Sequence, residues 1–329
     1  MLTIAAPARI DLAGGWTDTP PITWETPSCV VNMAVHVDNL LPITVSITKI
    51  SDPIIRLKID NSDPYILTSY DNFDNPETEG ALIKCALKLI GYPIDSGLEI
   101  VTTSTLPHGS GLGASSILGA TLLRALYKLQ GVHIDNDTLV RKVLDLEQMM
   151  TTGGGWQDQV GAIYPGIKRT QGNGSPNIAL NVTMLECPDL DKHMCLIFTG
   201  KTRLAKNLLQ SVVANWNSGD VRIKQNIVNL VRTADAMTNA ITDRNIPKIG
   251  GLLTEYWEQK KIMAPEAEPP HVTRIFSLIK QFIWGHSLCG AGGGGFAVVI
   301  TKVPAEETIP QLEHILRDEG CTIHRVQQA

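Results

Sequence analysis

The amino-acid sequence predicts a mixed α/β (α+β) fold divided between two domains. The chain has 329 residues, of which 43 % are hydrophobic and 19 % are charged, so it can bury a core in more than one domain. Strand patterns dominate the first part of the chain, whereas helical periodicity dominates the second half until strand patterns return at its end. The composition shifts most near Pro188, which predicts domains 1–187 and 188–329.

Charge and cysteine usage exclude several classes of protein. The formal net charge is −5 and lysine and arginine form no cluster, so nothing indicates a nucleic-acid or membrane-surface binder. No run approaches the ~18 apolar residues of a membrane span, and the N-terminus does not resemble a signal peptide. The six cysteines have apolar neighbours and include no Cys-x-x-Cys, so we expect reduced thiols and a cytoplasmic location.

The early strands and the first helix are predicted from alternation and punctuation. Residues 2–6 indicate a short strand, and residues 30–50 alternate enough for two strands joined near Asp38. Residues 54–59 predict a further strand. Residues 79–90 have the apolar periodicity of a helix, and a glycine followed closely by a proline ends this predicted helix.

The segment 7–21 is predicted to be a shaped turn. Polar residues alternate there with a Gly-Gly pair, and a Pro-Pro pair closes the segment. Arg9, Asp11 and Asp18 lie close to the glycines, as a site that binds hydroxyl groups and phosphate would require. The alternative is a connecting loop whose charges are incidental.

The glycine-rich stretch 106–116 is the strongest local signal. It lies between a predicted strand at 97–103 and a predicted helix at 117–130, and this arrangement favours anion binding at the helix N-terminus. Ser115 and Ser116 add hydroxyl groups, one of which could cap the helix and another ligate Mg²⁺. The stretch has neither the Gly-Lys-Ser/Thr of a Walker loop nor the third glycine of the dinucleotide fingerprint. A flexible loop before a capped helix is the alternative.

A second glycine segment is followed by an acidic residue, Asp158. Residues 138–150 predict a helix that contains Glu147, and residues 151–161 carry three glycines before Asp158. Loops held by rigid elements are common positions for catalytic groups, so Asp158 is a candidate. The alternatives are a helix N-cap or solvated acid for Asp158 and an exposed helical residue for Glu147.

The second half is predicted to be helical first and to end in strands. The predicted elements are a strand at 195–200, helices at 203–214, 221–242, 247–259 and 272–283, a proline-rich break at 265–270, a glycine loop entering a strand at 287–300, a helix at 305–318 and a strand at 322–326. The glycine loop suggests close approach to something outside the chain. Its alternative is a loop whose glycines avoid a clash with a neighbouring backbone.

The three glycine-bearing segments, in this order, resemble the GHMP kinase superfamily of small-molecule kinases. The central motif of that family, Pro-x-x-x-Gly-Leu-Gly/Ser-x-Ser, is matched by Pro107, Gly111, Leu112, Gly113 and Ser115. The family's N-terminal arginine-containing strand and turn match residues 9–18, and its late glycine stretch matches residues 290–294. The resemblance extends over nearly the whole chain and is specific because all three motifs occur together.

The resemblance implies a ribosomal-S5-like N-terminal domain, a ferredoxin-like C-terminal domain and an active site in the cleft between them. It implies ATP and Mg²⁺ as cofactors, Ser115 and Glu147 as metal ligands, and Asp158 with Arg9 as the catalytic pair. The expected ATP or phosphate contacts are Pro107, Gly109, Ser110, Gly111, Leu112, Gly113, Ala114, Ser115 and Ser116; the expected sugar contacts are Asp11, Trp16, Asp18, Gly154, Gly155, Asp158, Gly292 and Gly293.

Within the superfamily, residues 9–21, 153–159 and 199–203 are similar to those of the L-fucokinase branch. Galactokinases instead carry Gly-Glu-His-Thr-Asp at the first turn, whereas heptose kinases share its Ala-Gly-Gly-x-Thr-Asp and are the nearest rival. Fucokinases commonly carry a pyrophosphorylase or related domain ahead of the kinase part, so the chain is an excised portion or a free-standing form. A sugar-sensing binding protein on the same scaffold is the non-enzyme alternative. Trp16 either contacts the sugar or packs into the core.

Overall fold

The computed structural model describes residues 1–68, 80–150, 153–202 and 205–329. The strands are β1 (Leu2–Ala6), β2 (Ala8–Ala13), β3 (Ser28–Val37), β4 (Ile43–Lys49), β5 (Ile55–Ile59), β6 (Tyr65–Leu67), β7 (Leu98–Ser104), β8 (Ile167–Gly172), β9 (Leu180–Leu185), β10 (Met194–Phe198), β11 (Ile283–Leu288), β12 (Phe296–Thr301) and β13 (Thr322–Gln328). The helices are α1 (Ile22–Glu25), α2 (Ala81–Leu89), α3 (Ala114–Leu129), α4 (Asn136–Met149), α5 (Gln157–Ile163), α6 (Ala205–Asn217), α7 (Val221–Thr242), α8 (Ile246–Met263), α9 (Pro270–Ile279) and α10 (Ala305–Ile315).

Some helices begin with a side-chain cap and others do not. The side chain of Asp135 accepts a hydrogen bond from the N–H of Thr138 at the start of α4, and Asn245 does the same for Lys248 at the start of α8. Helix α3, like α2, begins at a glycine N-cap, which supplies no side-chain cap. No capping side chain therefore covers the first turn of α3.

Two sheets organise the molecule. The first has the strand order β1-β4-β7-β5-β6, and helices α2, α3 and α4 pack with it around one hydrophobic core. The second has the order β11-β12-β10-β13-β3-β8-β9, with β2 paired to β3, and it packs against α7 and α8 around a larger core. Early and late strands meet in this second sheet because β13 pairs with both β10 and β3.

The second sheet bears on the domain division predicted at residues 187 and 188. Strands from both sides of that point share the sheet and its core, because β13 from the predicted second domain pairs with β3 from the predicted first domain. The division into 1–187 and 188–329 stays a prediction.

Several predicted elements are confirmed and others need correction. The strands at 2–6 and within 30–50 are present, as are the helices at 221–242 and after the 106–116 stretch. The predicted turn at 7–21 is wrong in its first half, because β2 runs to Ala13 and pairs with β3. The predicted helix 272–283 ends at Ile279, and Ile283 begins β11. The predictions at residues 79, 151–152 and 203 lie outside the described residues.

Strand β8 was not predicted because its sequence is polar. Lys168 is nonetheless fully buried, and its Nζ donates to the carbonyl oxygens of Tyr164 at 2.7 Å and of Gly166 at 3.0 Å. Local pattern rules count lysine as an exposed residue, so they miss a strand whose lysine is satisfied by backbone carbonyls. Among the described helices, none has the length and apolar character needed to cross a membrane.

Candidate active site

The phosphate loop, defined here as residues 107–116, connects β7 to α3. Gly109, Gly111 and Gly113 have φ angles of 72°, 78° and 77°, a left-handed backbone that glycine adopts without strain. The first-turn amides of Ala114, Ser115 and Ser116 have no acceptor within the helix, because the i−4 carbonyls lie outside it. With the positive end of the helix dipole, these amides form a site suited to an anion.

The late glycine loop, defined here as residues 289–295, packs on the backbone of the phosphate loop. The N–H of Phe296 donates to the carbonyl of Ser110 at 2.9 Å, and a Cβ atom on Gly295 would lie 2.5 Å from that same oxygen. A Cβ atom on Gly111 would lie 2.5 Å from the carbonyl oxygen of Cys289. Side chains at these positions would force the two loops apart.

The structure supports the alternative interpretation of the late glycine loop. Its glycines approach neighbours within the chain, as its alternative reading proposed. The N–H of Gly293 donates to the carbonyl of Ala267 at 2.6 Å, and a Cβ atom on Gly292 would lie 3.0 Å from Ala267. The close approach of Ala267 gives Gly292 a reason within the chain, and the sugar contacts proposed for Gly292 and Gly293 stay predictions.

Arg9 and Asp158 meet beside the phosphate loop, although 149 residues separate them. Arg9 is 2 % exposed, and its Nε and Nη2 donate to Oδ1 of Asp158 at 2.7 Å and 2.6 Å. Its Nη1 donates to the carbonyl of Gly111 at 3.0 Å. Burial lowers the pKa of Arg9, but the charges of Asp158 and Asp11 outweigh burial and raise that pKa above its ordinary value. The guanidinium thus stays charged and ties the acid to the phosphate loop.

Asp11 is buried, and the chain itself uses both of its carboxylate oxygens. Oδ1 accepts from Nη1 of Arg9 at 2.9 Å and from the N–H of Gly290 at 3.0 Å. Oδ2 accepts from Oη of Tyr256 at 2.8 Å and from Nζ of Lys260 at 3.2 Å. Burial raises the pKa of Asp11, but the Lys260 and Arg9 charges outweigh burial and bring it to about 2. The sugar contact predicted for Asp11 is not supported by this geometry.

Asp18 and Trp16 lie together with polar atoms that no described residue satisfies. Oδ2 of the buried Asp18 accepts from the N–H of Gln157 at 3.1 Å, but its Oδ1 has no partner among the described residues. The same is true of Nε1 of Trp16, which is 7 % exposed, and of Oε1 of Gln157. Buried polar atoms are normally paired, so these two acceptors and one donor suit a ligand that carries hydroxyl groups. Gln157 was not a predicted site residue.

The glycine segment before α5 allows the close approach of Asp18 and Glu147. A Cβ atom on Gly155 would overlap Oδ2 of Asp18, and one on Gly154 would lie 3.3 Å from Oε2 of Glu147. Larger residues at 154 or 155 would displace these carboxyl groups. The close approach of these carboxyl groups is a physical reason for glycine at positions 154 and 155. Their contact with a sugar stays a prediction.

Glu147 lies buried under the phosphate loop. Its Oε1 accepts a hydrogen bond from the hydroxyl of Ser116, and its Oε2 accepts from Nε2 of Gln159 at 2.9 Å. Burial, aided by the charge of Asp158, raises the pKa of Glu147 to about 7. Ser115 is exposed at the start of α3. The structure therefore brings Ser116, rather than Ser115, against the predicted metal ligand.

The oxygen atoms of Glu147 and of the neighbouring serines are of the kind that a divalent cation binds. Carboxylate and hydroxyl oxygens suit Mg²⁺, which commonly takes only one or two carboxylates and completes its shell with water and phosphate oxygens. Within the described ranges no group of three or more His, Cys, Asp or Glu side chains is arranged to hold a metal. The residues fit a cation shared with a phosphate ligand.

Asp18→Asn should stabilise the folded protein at high pH. Burial raises the pKa of Asp18 from 3.8 to about 7, so the folded state keeps a proton that the unfolded chain loses. The stability contributed by this group is present at low pH and is lost as the pH rises from about 4 to about 7. The variant should gain on the order of 2–4 kcal/mol at about pH 8, and much less near pH 4. Urea unfolding at both pH values measures this, and equal gains would contradict it.

Comparisons with known proteins agree with the geometry. A family model described as GHMP kinases N terminal domain matches residues 81–166, and one described as GHMP kinases C terminal matches residues 236–317. Together they span just over half of the chain. The solved structure of the Methanococcus jannaschii mevalonate kinase superposes with a TM-score of 0.77 at 18 % identity, covering 100 % of this chain and 98 % of that one. The GHMP kinase fold predicted from the sequence is confirmed.

Curated relatives are more similar in sequence. A bifunctional fucokinase/GDP-fucose pyrophosphorylase of Arabidopsis thaliana is 34 % identical over 91 % of this chain and 30 % of its own length. An L-fucokinase/L-fucose-1-P guanylyltransferase of Bacteroides fragilis is 33 % identical over 91 % of this chain and 34 % of its own. A D-glycero-alpha-D-manno-heptose 7-phosphate kinase of Campylobacter jejuni is 23 % identical over 88 % of this chain and 86 % of its own length. The chain spans about a third of the length of the first two.

Proposed function

We propose, because this chain belongs to the GHMP kinase family, that it transfers the γ-phosphoryl group of ATP to the anomeric hydroxyl of L-fucose. The observation that carries the proposal is the contact of Asp158 with Arg9 directly beside the phosphate loop. Similarity to the two fucokinase relatives supports the choice of sugar, and the unpartnered polar atoms of Trp16, Asp18 and Gln157 support a ligand rich in hydroxyl groups.

The arrangement suits phosphoryl transfer, which asks a protein chiefly for positioning and charge stabilisation. The amides at the start of α3 face the phosphates. The hydroxyl oxygen of the sugar forms a bond to the γ-phosphorus, the bond from that phosphorus to the ADP oxygen breaks, and Asp158 accepts the hydroxyl proton. Arg9 engages Oδ1 of Asp158, and Oδ2 accepts no hydrogen bond from the described residues, so it can face the sugar.

Mg²⁺ is proposed to bind with Ser115 and Glu147 as its protein ligands. When bound, the cation neutralises charge on the transferred phosphate. The hydroxyl of Ser116 and the amide of Gln159 hold the Glu147 carboxylate in place. The raised pKa of Glu147 means that a cation and a proton compete for it near neutral pH.

Glu147→Gln and Ser115→Ala should raise the Mg²⁺ concentration needed for half-maximal activity by roughly tenfold or more. Each change removes one oxygen ligand, so saturating Mg²⁺ should recover part of the loss. Ser116→Ala should have a smaller effect because Ser116 acts through Glu147. Titration of activity with Mg²⁺ measures this, with Ser277→Ala on the exposed face of α9 as the control. If Ser116→Ala is the more damaging serine change, Ser116 is the ligand.

The sugar is proposed to lie against Trp16, Asp18, Gly154 and Gly155, next to Asp158. Asp18 and Gln157 offer acceptors for ring hydroxyls, and Nε1 of Trp16 offers one donor. In the structure Trp16 belongs to the larger hydrophobic core, which supports the packing alternative for most of its ring. The two fucokinase relatives combine fucokinase with a GDP-fucose pyrophosphorylase or an L-fucose-1-P guanylyltransferase. A full-length protein with an upstream domain of that kind would use the sugar phosphate for GDP-fucose salvage.

A coupled ADP-release assay across a panel of sugars tests the proposal. Phosphorylation of L-fucose in preference to galactose is the expected result. A heptose 7-phosphate kinase is the second candidate, favoured by the Campylobacter jejuni relative that the chain matches over most of its length. Activity on a heptose 7-phosphate but not on fucose would select it. Binding of sugar without ADP release would indicate a sugar-sensing protein instead.

A further inference from the structure

Lys260 in α8 is buried to an extent that is rare for lysine. Its side chain is 1 % exposed, and Nζ donates to Oδ2 of Asp11 at 3.2 Å, to the carbonyl of Leu288 at 3.0 Å and to the carbonyl of Gly290. These three acceptors use all three N–H groups of the ammonium. Lys260 therefore has no N–H group left for a substrate. It can affect the site only by holding Asp11 and the two carbonyl groups in place.

The contact between Lys260 and Asp11 completes a line of alternating charges. Asp158 pairs with Arg9, Arg9 pairs with Asp11, and Asp11 pairs with Lys260. Two carboxylates and two cations balance within this line, and all but Asp158 are almost fully buried. Removing one member leaves a buried charge without its counterpart, which is costly at such depth.

The same lysine also holds the late glycine loop. The carbonyls of Leu288 and Gly290 flank Cys289, whose own carbonyl lies against Gly111 of the phosphate loop. The N–H of Gly290 donates to Asp11 as well. One ammonium group thus joins α8 to the end of β11, to the late glycine loop and to Asp11 of β2, which lies 249 residues away in the sequence.

We infer that Lys260 is a positioning residue of the phosphoryl-transfer site. Through Asp11 it orients Arg9 and hence Asp158, and through two carbonyls it keeps the late glycine loop seated on the phosphate loop. The inference rests on the proposed function for its kinetic consequence, whereas the seating of the loop is a property of the folded chain.

Lys260→Met tests the inference, with Lys261→Met as the matched control. Lys261 is the next residue of α8 but is partly exposed and pairs with Glu258 and Glu268. Lys260→Met should lower kcat by about 100-fold with little change in the KM for sugar, because small displacements of reacting groups have effects of that size. Lys261→Met should keep the wild-type kcat. A wild-type kcat in Lys260→Met would overturn the inference.

Thiol labelling followed by mass spectrometry of the labelled peptides measures how often the late glycine loop opens. Cys289 is buried between the two carbonyls that Lys260 holds, whereas Cys85 is buried in the other hydrophobic core. In Lys260→Met, labelling of Cys289 should accelerate about tenfold or more relative to Cys85, because local opening changes while global opening is shared. Equal acceleration of both cysteines would indicate general destabilisation and overturn the inference.

The double variant Asp11→Asn/Lys260→Met separates positioning from charge balance. It removes one charge of each sign, so it should recover much of the thermal stability lost in Lys260→Met but not the lost kcat. Recovery of both would show that Lys260 acts only as a counter-charge. If the wild-type protein phosphorylates no sugar, the proposed function fails, while the labelling ratio still decides whether Lys260 holds the loop.

Discussion

Asp158→Asn should lower kcat for sugar phosphorylation by about 10²- to 10⁴-fold, the usual contribution of a group that accepts a proton in the transition state. Asparagine keeps the shape of the side chain and can still pack beside Arg9, but it cannot accept the proton of the hydroxyl group. The folded structure should persist, because Asp158 lies in the first turn of α5 with its side chain 29 % exposed. Binding of ATP should be nearly unchanged.

Steady-state kinetics with saturating sugar, together with a nucleotide-binding measurement, check this expectation. Asp145→Asn is the matched control, since Asp145 lies on the exposed face of α4 and pairs only with Lys142 among the contacts described. The control should retain wild-type kcat. Near wild-type turnover in Asp158→Asn would remove this residue from the reaction and leave the anion site without an adjacent proton acceptor.

Arg9→Met should lower the free energy of unfolding by on the order of 3–5 kcal/mol, as expected when one partner of a buried ionic group is removed. The change leaves the carboxylates of Asp11 and Asp158 without the guanidinium that bridges them. It also removes a donor from the carbonyl of Gly111, so the phosphate loop loses one of its supports. Activity should fall with stability, because Asp158 is no longer held beside the loop.

Two further variants make this result interpretable. Arg9→Lys keeps the charge but cannot donate to Asp158, Asp11 and Gly111 in the planar geometry of arginine, so it should fold better than Arg9→Met while remaining poorly active. Arg56→Met is the surface control, since Arg56 is partly exposed and pairs with Glu99 and Asp52. It should change the unfolding free energy by about 1 kcal/mol or less. Urea unfolding that places Arg9→Met level with this control would contradict the role assigned to Arg9.

The local features of this protein could be read from its sequence. Glycines at 109, 111 and 113 before a helical period predict a turn and an open helix N-terminus, and the structure has both. The signals were sufficient because turn conformation and helix periodicity depend on residues within one or two turns of each other. The family could be identified because each of the three glycine motifs is short and the motifs occur in the family's order along the chain.

The partners of the buried polar groups were not readable in this way. Asp11 was expected to contact a sugar, but in the structure its oxygens accept from Tyr256 and Lys260, 245 and 249 residues away. Gln157, the first residue of α5, was not predicted because a glutamine after a glycine segment has no distinctive pattern. Lys168 in β8 was overlooked because a lysine signals exposure until carbonyl oxygens are found around it.

Sequence alone therefore determined the glycine turn at residues 107–116, the helix that follows it and the kinase family, all of which rest on short-range backbone preferences and motif order. Tertiary structure alone decided which carboxylates are free for a ligand, which are consumed by the chain, and which serine hydroxyl meets Glu147. The physical reason is that a buried charge must be paired, and its partner is supplied by whichever element packs against it, however distant in the sequence.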